Sequence, residues 1–117
     1  MRFGWQTRLA RSSEIDRVFR NGRRQNCGAF LLITCRRENV SGQSTPRMCV
    51  IASRRVSKRA VDRNRLKRRM RALYRLNQSI IPEGYDLVMI ARNSMMNSKF
   101  AELDRRFKKA CAQLSVS

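Results

Sequence analysis

A chain of 117 residues has room for one compact domain, and its 42% apolar residues gather in periodic segments, so a net charge of +19 does not by itself imply disorder. Twenty-seven Lys and Arg side chains stand against eight Asp and Glu, which points to a polyanionic partner, and the absence of histidine removes imidazole as acid, base or metal ligand. The four cysteines, Cys27, Cys35, Cys49 and Cys111, lack CxxC spacing, which argues against zinc; Cys35, Cys49 and Cys111 sit in apolar runs, where a free thiol acts as a small hydrophobe in a reducing compartment.

Residues 1–11 form a basic arm with Phe3, Trp5 and Leu9 as isolated apolar points, expected either to drape over the domain or to stay mobile. Trp5 suits two roles, stacking on a base or pinning the terminus to the core. The arm has no continuous apolar run of the signal-peptide kind and no later stretch approaches a membrane span, so a cytoplasmic protein is expected. A short helix follows, with Ser12 or Ser13 as cap, Glu14 and Asp16 in the first turn where the dipole favours acids, and Asn21-Gly22 as the stop. Ile15, Val18 and Phe19 share the face that packs on a sheet.

Arg23 to Asn26 reads as a short strand, and Ala29 to Cys35 (AFLLITC) as a strand apolar enough to be covered on both faces. Arg36 to Pro46, with Asn39, Ser41-Gly42 and Pro46, reads as a flexible connection between neighbouring strands. Met48 to Ala52 is the next strand, and it runs straight into Ser53-Arg54-Arg55.

The stretch from Ser53 to Arg75, SRRVSKRAVDRNRLKRRMRALYR, carries eleven basic residues and a single acid, Asp62. On a helix from about Ala60 to Leu76 or Asn77, Leu66, Met70, Leu73 and Tyr74 form one stripe, while Asn64, Arg65, Lys67, Arg68, Arg71 and Arg75 occupy the opposite arc. A solvated helix face mixes both signs to gain ion pairs, whereas this face repels itself until an external polyanion completes it. Arginine outnumbers lysine here, and its planar fork suits phosphates and base edges. Pro82-Glu83-Gly84 then forms a turn, Leu87 to Ala91 the last strand, and Asn97 or Ser98 caps a terminal helix whose Phe100, Leu103, Phe107, Ala110, Cys111 and Leu114 repeat at core spacing. In that helix-strand order the chain is an α+β sandwich of helices on one modest sheet, for which a right-handed strand–helix–strand crossover is the general rule.

The acids, Glu14, Asp16, Glu38, Asp62, Glu83, Asp86, Glu102 and Asp104, are scattered one or two per segment, with Asp62 suited to a helix N-terminus and Asp86 to a turn. There is no GxGxxG or GxxxxGK[ST] loop to cradle a nucleotide. No catalytic residue and no metal ligand is therefore assigned.

The core RNRLKR (Arg63 to Arg68), with SRRVSKRAVD before it and RMRALYRL after it, resembles the RNR signature of the bacterial ribonuclease P protein subunit. The likeness extends through RLARSSEIDRVFRNGRR, AFLLITC, RMCVIASRR, EGYDLVMIAR and SKFAELDRRF, from about Arg8 to Leu114. It implies a ribosomal protein S5 domain 2-like fold of αβββαβα order, one RNA-binding domain over residues 1–117, with a small mixed sheet and a left-handed crossover. It also implies a protein cofactor of an endonuclease whose catalytic RNA matures the 5′ end of precursor tRNA, one protein per holoenzyme, with Mg2+ bound mainly by the RNA and none assigned to the protein.

Carried over by position, Arg63, Asn64 and Arg65 are the RNR core, Lys67, Arg68 and Arg71 extend it, and Arg54 and Arg55 stand for the basic pair before the helix. The resemblance places Ile15, Phe19, Ile33 and Ser53 in a cleft for the 5′ leader of the substrate. Ile15 and Ile33 stand where the family often has aromatics, which weakens base stacking there and leaves apolar contact. Relative to many members one extra residue lies between Ser53 and Arg63, which alters the setting of Lys58 and Arg59.

Three other classes compete. A ribosomal RNA-binding protein shares the charge but not this segment order, and a helix-turn-helix DNA binder needs two adjacent helices, where here strands flank the basic one. A free-standing nuclease would cleave precursor tRNA with no RNA partner.

Overall fold

A computed structural model describes residues 12–37 and 46–116. The order is α1 (Ser12–Asn21), β1 (Arg23–Asn26), β2 (Phe30–Arg36), β3 (Arg47–Ile51), α2 (Ala60–Leu76), β4 (Tyr85–Ala91) and α3 (Phe100–Val116), with 3-10 turns at Gln78–Ile80 and Asn93–Asn97. This is the expected αβββαβα arrangement, an α+β domain of three helices on a mixed four-stranded sheet. The arm with Phe3, Trp5 and Leu9, and residues 38–45 of the connection after β2, lie outside the described residues.

The sheet runs β1-β2-β4-β3, with β1–β2 and β2–β4 antiparallel and β3–β4 parallel. The connection after β2 therefore does not join neighbours, contrary to expectation, because β4 inserts between β2 and β3. Burial explains the placement. The strand β4 is covered on both faces along most of its length, whereas β3 buries only Met48 fully, so the more apolar strand takes the centre and β3 the edge. A parallel β3–β4 pair requires a crossover, and α2 supplies it.

Alternation along the strands builds two cores. Phe30, Leu32, Met48, Leu87, Met89 and Ala91 meet Leu66, Met70, Leu73 and Tyr74 of α2 and Leu103, Phe107, Ala110 and Cys111 of α3. Phe30 and Phe107 pack as a tilted ring pair with centroids 6.5 Å apart, and the buried Tyr74 hydroxyl donates to Pro46 O at 2.5 Å. The opposite sheet face, with Ile33, Cys35 and Val88, receives Val18 of α1.

Three local expectations shift. The first helix already includes Ser12 and Ser13, the two residues expected to cap it, a difference within the usual fraying of helix ends. Gly22 stops that helix through close approach: a Cβ there would lie 2.3 Å from Val18 O and 2.6 Å from Ile33 Cγ2. At the start of α3, Ser98 turns its hydroxyl back to Ser94 O at 2.7 Å and the helix begins at Phe100. The strand β4 opens two residues before the expected Leu87, immediately after Gly84 at φ +80°, which carries Asp86 out of a turn and into the sheet.

Candidate nucleic-acid interface

The helix α2 buries Leu66, Met70, Leu73 and Tyr74, the stripe read from its periodicity. Its other side leaves Asn64, Arg65, Arg68 and Arg75 exposed, with Lys67 and Arg71 half-exposed. Arg54 and Arg55 are exposed in a turn closed by the Val56 N–H donating to Ser53 O at 3.1 Å. The single acid of the segment is already engaged, since Asp62 Oδ2 accepts from Ser57 Oγ at 3.0 Å and lies 3.9 Å from Arg59 Nε. No carboxylate of this segment thus neutralises the outward arginines.

Two arginines of the same helix turn to the protein instead. Arg63 Nη1 donates to Ser57 O at 2.9 Å and Lys58 O at 3.0 Å, strapping the preceding loop to the first turn. Arg69 donates through Nη1 to Met95 O at 3.0 Å and through Nη2 to Ser98 O at 2.7 Å, tying α2 to the turn before α3. Of the RNR core, Asn64 and Arg65 face outward while Arg63 spends a nitrogen on the loop that presents Arg54 and Arg55.

The second surface is the sheet face under α1. Register sets three rows across β2, β4 and β3: Leu31–Ile90–Ile51, then Ile33–Val88–Cys49, then Cys35–Asp86–Arg47. Val18, Ile33 and Val88 are fully buried where α1 crosses the middle row. The first row stays half-exposed, as does Cys49, and half-buried Ile15 and Phe19 pack against the same cluster from α1. These half-exposed apolar side chains share one face of the sheet beside α1, and β3 leads from them to exposed Ser53. Of the four residues expected in a cleft, Ile15 and Phe19 are half-buried at the edge of this apolar cluster and Ser53 is exposed past β3, whereas Ile33 is fully buried. The half-exposed apolar residues on the same sheet face are Leu31, Cys49, Ile51 and Ile90, and alternation from Ile33 would have located Leu31 there.

The third row is ionic. Asp86 is fully buried, and its Oδ1 accepts from Arg37 Nη1 at 2.6 Å and Arg47 Nε at 2.9 Å, its Oδ2 from Arg17 Nη2 at 2.8 Å and Arg47 Nη2 at 2.9 Å. Arg47 Nη1 also donates to Glu14 Oε2 at 2.5 Å, linking β3 to the first turn of α1. The hydrogen bonds to Asp86, with the one to Glu14 behind them, raise the Arg47 pKa above its ordinary value despite partial burial. The one sequence signal for this hub is an acid interrupting an otherwise apolar strand in a chain of +19. Elsewhere, burial pushes the Cys111 thiol up to about 12 and raises that of Cys27, so both act as neutral core groups.

A cationic helix face and a half-exposed apolar patch differ in the chemistry they offer: arginines spaced along a helix suit clustered phosphates, and an apolar surface with an aromatic suits unpaired bases. Among the described residues no three His, Cys, Asp or Glu side chains converge as a metal site.

Residues 3–115 match the Ribonuclease P family model. A ribonuclease P protein component from Pseudomonas putida is 36% identical over 115 residues, spanning 98% of this chain and 84% of that protein. The RNase P protein from Thermotoga maritima superposes with a TM-score of 0.76 at 23% identity, over 91% of this chain and 96% of that one. The RNase P protein from Staphylococcus aureus gives 0.75 at 19% identity, over 93% and 94%. With the family match spanning the basic helix, the apolar patch beside α1 and the ionic row alike, the chain belongs to the ribonuclease P protein family.

Proposed function

We propose that the protein is the RNA-binding cofactor subunit of ribonuclease P, supporting 5′ maturation of tRNA by a catalytic RNA. The observation that carries this reading is the separation of two surfaces on opposite faces of one sheet: the arginine face of α2, and the apolar patch beside α1. In this reading Arg54, Arg55, Asn64, Arg65, Lys67, Arg68 and Arg71 neutralise phosphates of the catalytic RNA, and Arg63 presents the loop that carries the first two. The 5′ leader of precursor tRNA enters past Ser53 and lies over Leu31, Ile90 and Ile51, with Phe19 as its stacking platform beside Ile15. Binding the leader raises affinity for precursor over mature tRNA, and neutralising the RNA's phosphates lowers the cost of folding it around its metal ions.

Magnesium belongs to the RNA in this scheme. Asp86, the one fully buried acid among the described residues, accepts from guanidiniums at both oxygens and so offers Mg2+ no free ligand. No helix among the described residues is long and apolar enough to cross a membrane, and the proposed place of action is the cytoplasm, with one protein per holoenzyme.

The test is reconstitution of precursor tRNA cleavage with a ribonuclease P RNA at low magnesium, each component also assayed alone. The pair should cleave faster than the RNA alone, and the protein alone should be inert. Cleavage by isolated protein would make it a nuclease in its own right. Co-purification with ribosomal subunits, and no stimulation of the RNA, would make it a structural RNA binder.

A further inference from the structure

In the ionic row Arg17, Arg37 and Arg47 converge on Asp86, and Arg47 also reaches Glu14. Arg17 is the most exposed of the three, at 32% against 15% for Arg37 and 23% for Arg47. It lies in α1 between Ile15 and Phe19, and its Nη2 reaches Asp86 at 2.8 Å while Nη1 lies 3.5 Å from Arg36 O.

Besides the Glu14–Arg47 ion pair at its first turn, α1 docks through apolar contacts of Val18, with Ile15 and Phe19. Apolar contact is non-directional, and a ten-residue helix has little stability of its own, so such a face alone tolerates sliding and tilting over the sheet. The Arg17–Asp86 bond is directional and ends on a carboxylate that Arg37 and Arg47 hold rigidly from two other elements. A tilt of α1 would carry Ile15 and Phe19 toward or away from Leu31 and Ile90, widening or closing the cleft.

We propose that Asp86 and Arg17 are positioning residues for leader binding, clamping α1 at the spacing from the sheet that a single strand requires, without touching RNA. The inference rests on the reading of the cleft as the leader site.

The experiment uses full-length Arg17→Met, which keeps the apolar stem and removes the guanidinium, reconstituted with the catalytic RNA. Affinity for precursor tRNA should fall by about three- to tenfold, a fraction of what one stacked base contributes. Affinities for mature tRNA and for the catalytic RNA should be unchanged, and so should the salt dependence of precursor binding. Arg17→Lys, which keeps one donor within reach of Asp86, should recover most of the loss. In a Phe19→Ala background Arg17→Met should add almost nothing, because the residue acts through Phe19.

Three results would overturn the proposal. A salt slope lowered by about one unit would mean that Arg17 itself contacts a phosphate. Additive losses in the double variant would mean that the two residues act independently. A collapsed fold in Arg17→Met, read by circular dichroism, would make the bond a strut of the whole domain. Failure of the underlying cleft reading shows separately, as Phe19→Ala alone leaving the preference for precursor over mature tRNA intact.

Discussion

Phe19 and Val18 are adjacent in α1 and have different fates. Val18 is fully buried between helix and sheet, whereas Phe19 is half-buried at the edge of the same cluster. In the proposed reading, half-buried Phe19, with Ile15 beside it and Ile33 fully buried, is the stacking platform for the leader. Phe19→Ala should weaken precursor tRNA binding by about five- to a hundredfold, from the roughly 1–3 kcal/mol that a stacked base contributes. Mature tRNA should bind almost as before, and the stability loss should stay below the roughly 3–5 kcal/mol of a fully buried phenylalanine. Binding of both tRNAs by the reconstituted holoenzyme, with a melting curve of the protein, checks all three. Equal losses for the two tRNAs would remove Phe19 from the leader site.

Within α2 the arginines divide into two sets that different measurements should separate. Arg65 and Arg68 face solvent, whereas Arg69 donates to two backbone carbonyls of the turn before α3. If the helix and the Arg54-Arg55 pair neutralise on the order of six phosphates, log affinity for the catalytic RNA should fall against log salt with a slope of about −5. Replacing Arg65 and Arg68 together by alanine should flatten that slope by about one to two units without lowering the melting temperature. Arg69→Ala should do the reverse, costing about 1–3 kcal/mol of stability with little change in slope. The contact between α2 and α3 has its own pH signature. Asn77, which ends α2, donates from Nδ2 to Asp104 at 2.8 Å, and this bond, then Lys108, holds the Asp104 carboxyl below its ordinary value. A lowered folded-state pKa contributes stability that is complete above the unfolded value, about 3.9, and is lost as pH falls through the folded one. Melting temperatures measured from about pH 5 downward should therefore decline less steeply for Asp104→Asn than for the parent chain.

For the whole molecule the dominant fact is nineteen uncompensated positive charges on a 117-residue chain. The carboxylates on α3 are already paired, Glu102 with Arg105 and Arg106 and Asp104 with Lys108, and Asp86 is enclosed by three arginines. The excess charge repels itself in the compact state, and an anion that binds the folded form shifts the folding equilibrium by mass action. Sulfate should raise the melting temperature and sharpen the transition more than chloride at equal ionic strength. Identical cooperative melts in the two salts would show that the outward arginines do not strain the fold.

Local features were readable in one dimension. The buried stripe of α2 follows from a 3.6-residue period, its outward arginines from the same period offset by half a turn, and the strands from runs of apolar and β-branched residues. These patterns express energies decided within a few residues, as does the likeness of RNRLKR and its flanks to one family. Strand order is a different matter: that β4 separates β2 from β3 depends on competition among whole strands for the doubly covered position. The same holds for the burial of Ile33, which depends on where α1 crosses the sheet, and for the inward turn of Arg63 and Arg69 on a helix where neighbouring arginines face out. Asp86 is the clearest case, since its partners Arg17, Arg37 and Arg47 lie 69, 49 and 39 residues away in the chain. Periodicity says which residues share a face, but only the closed fold brings distant charges within hydrogen-bonding reach.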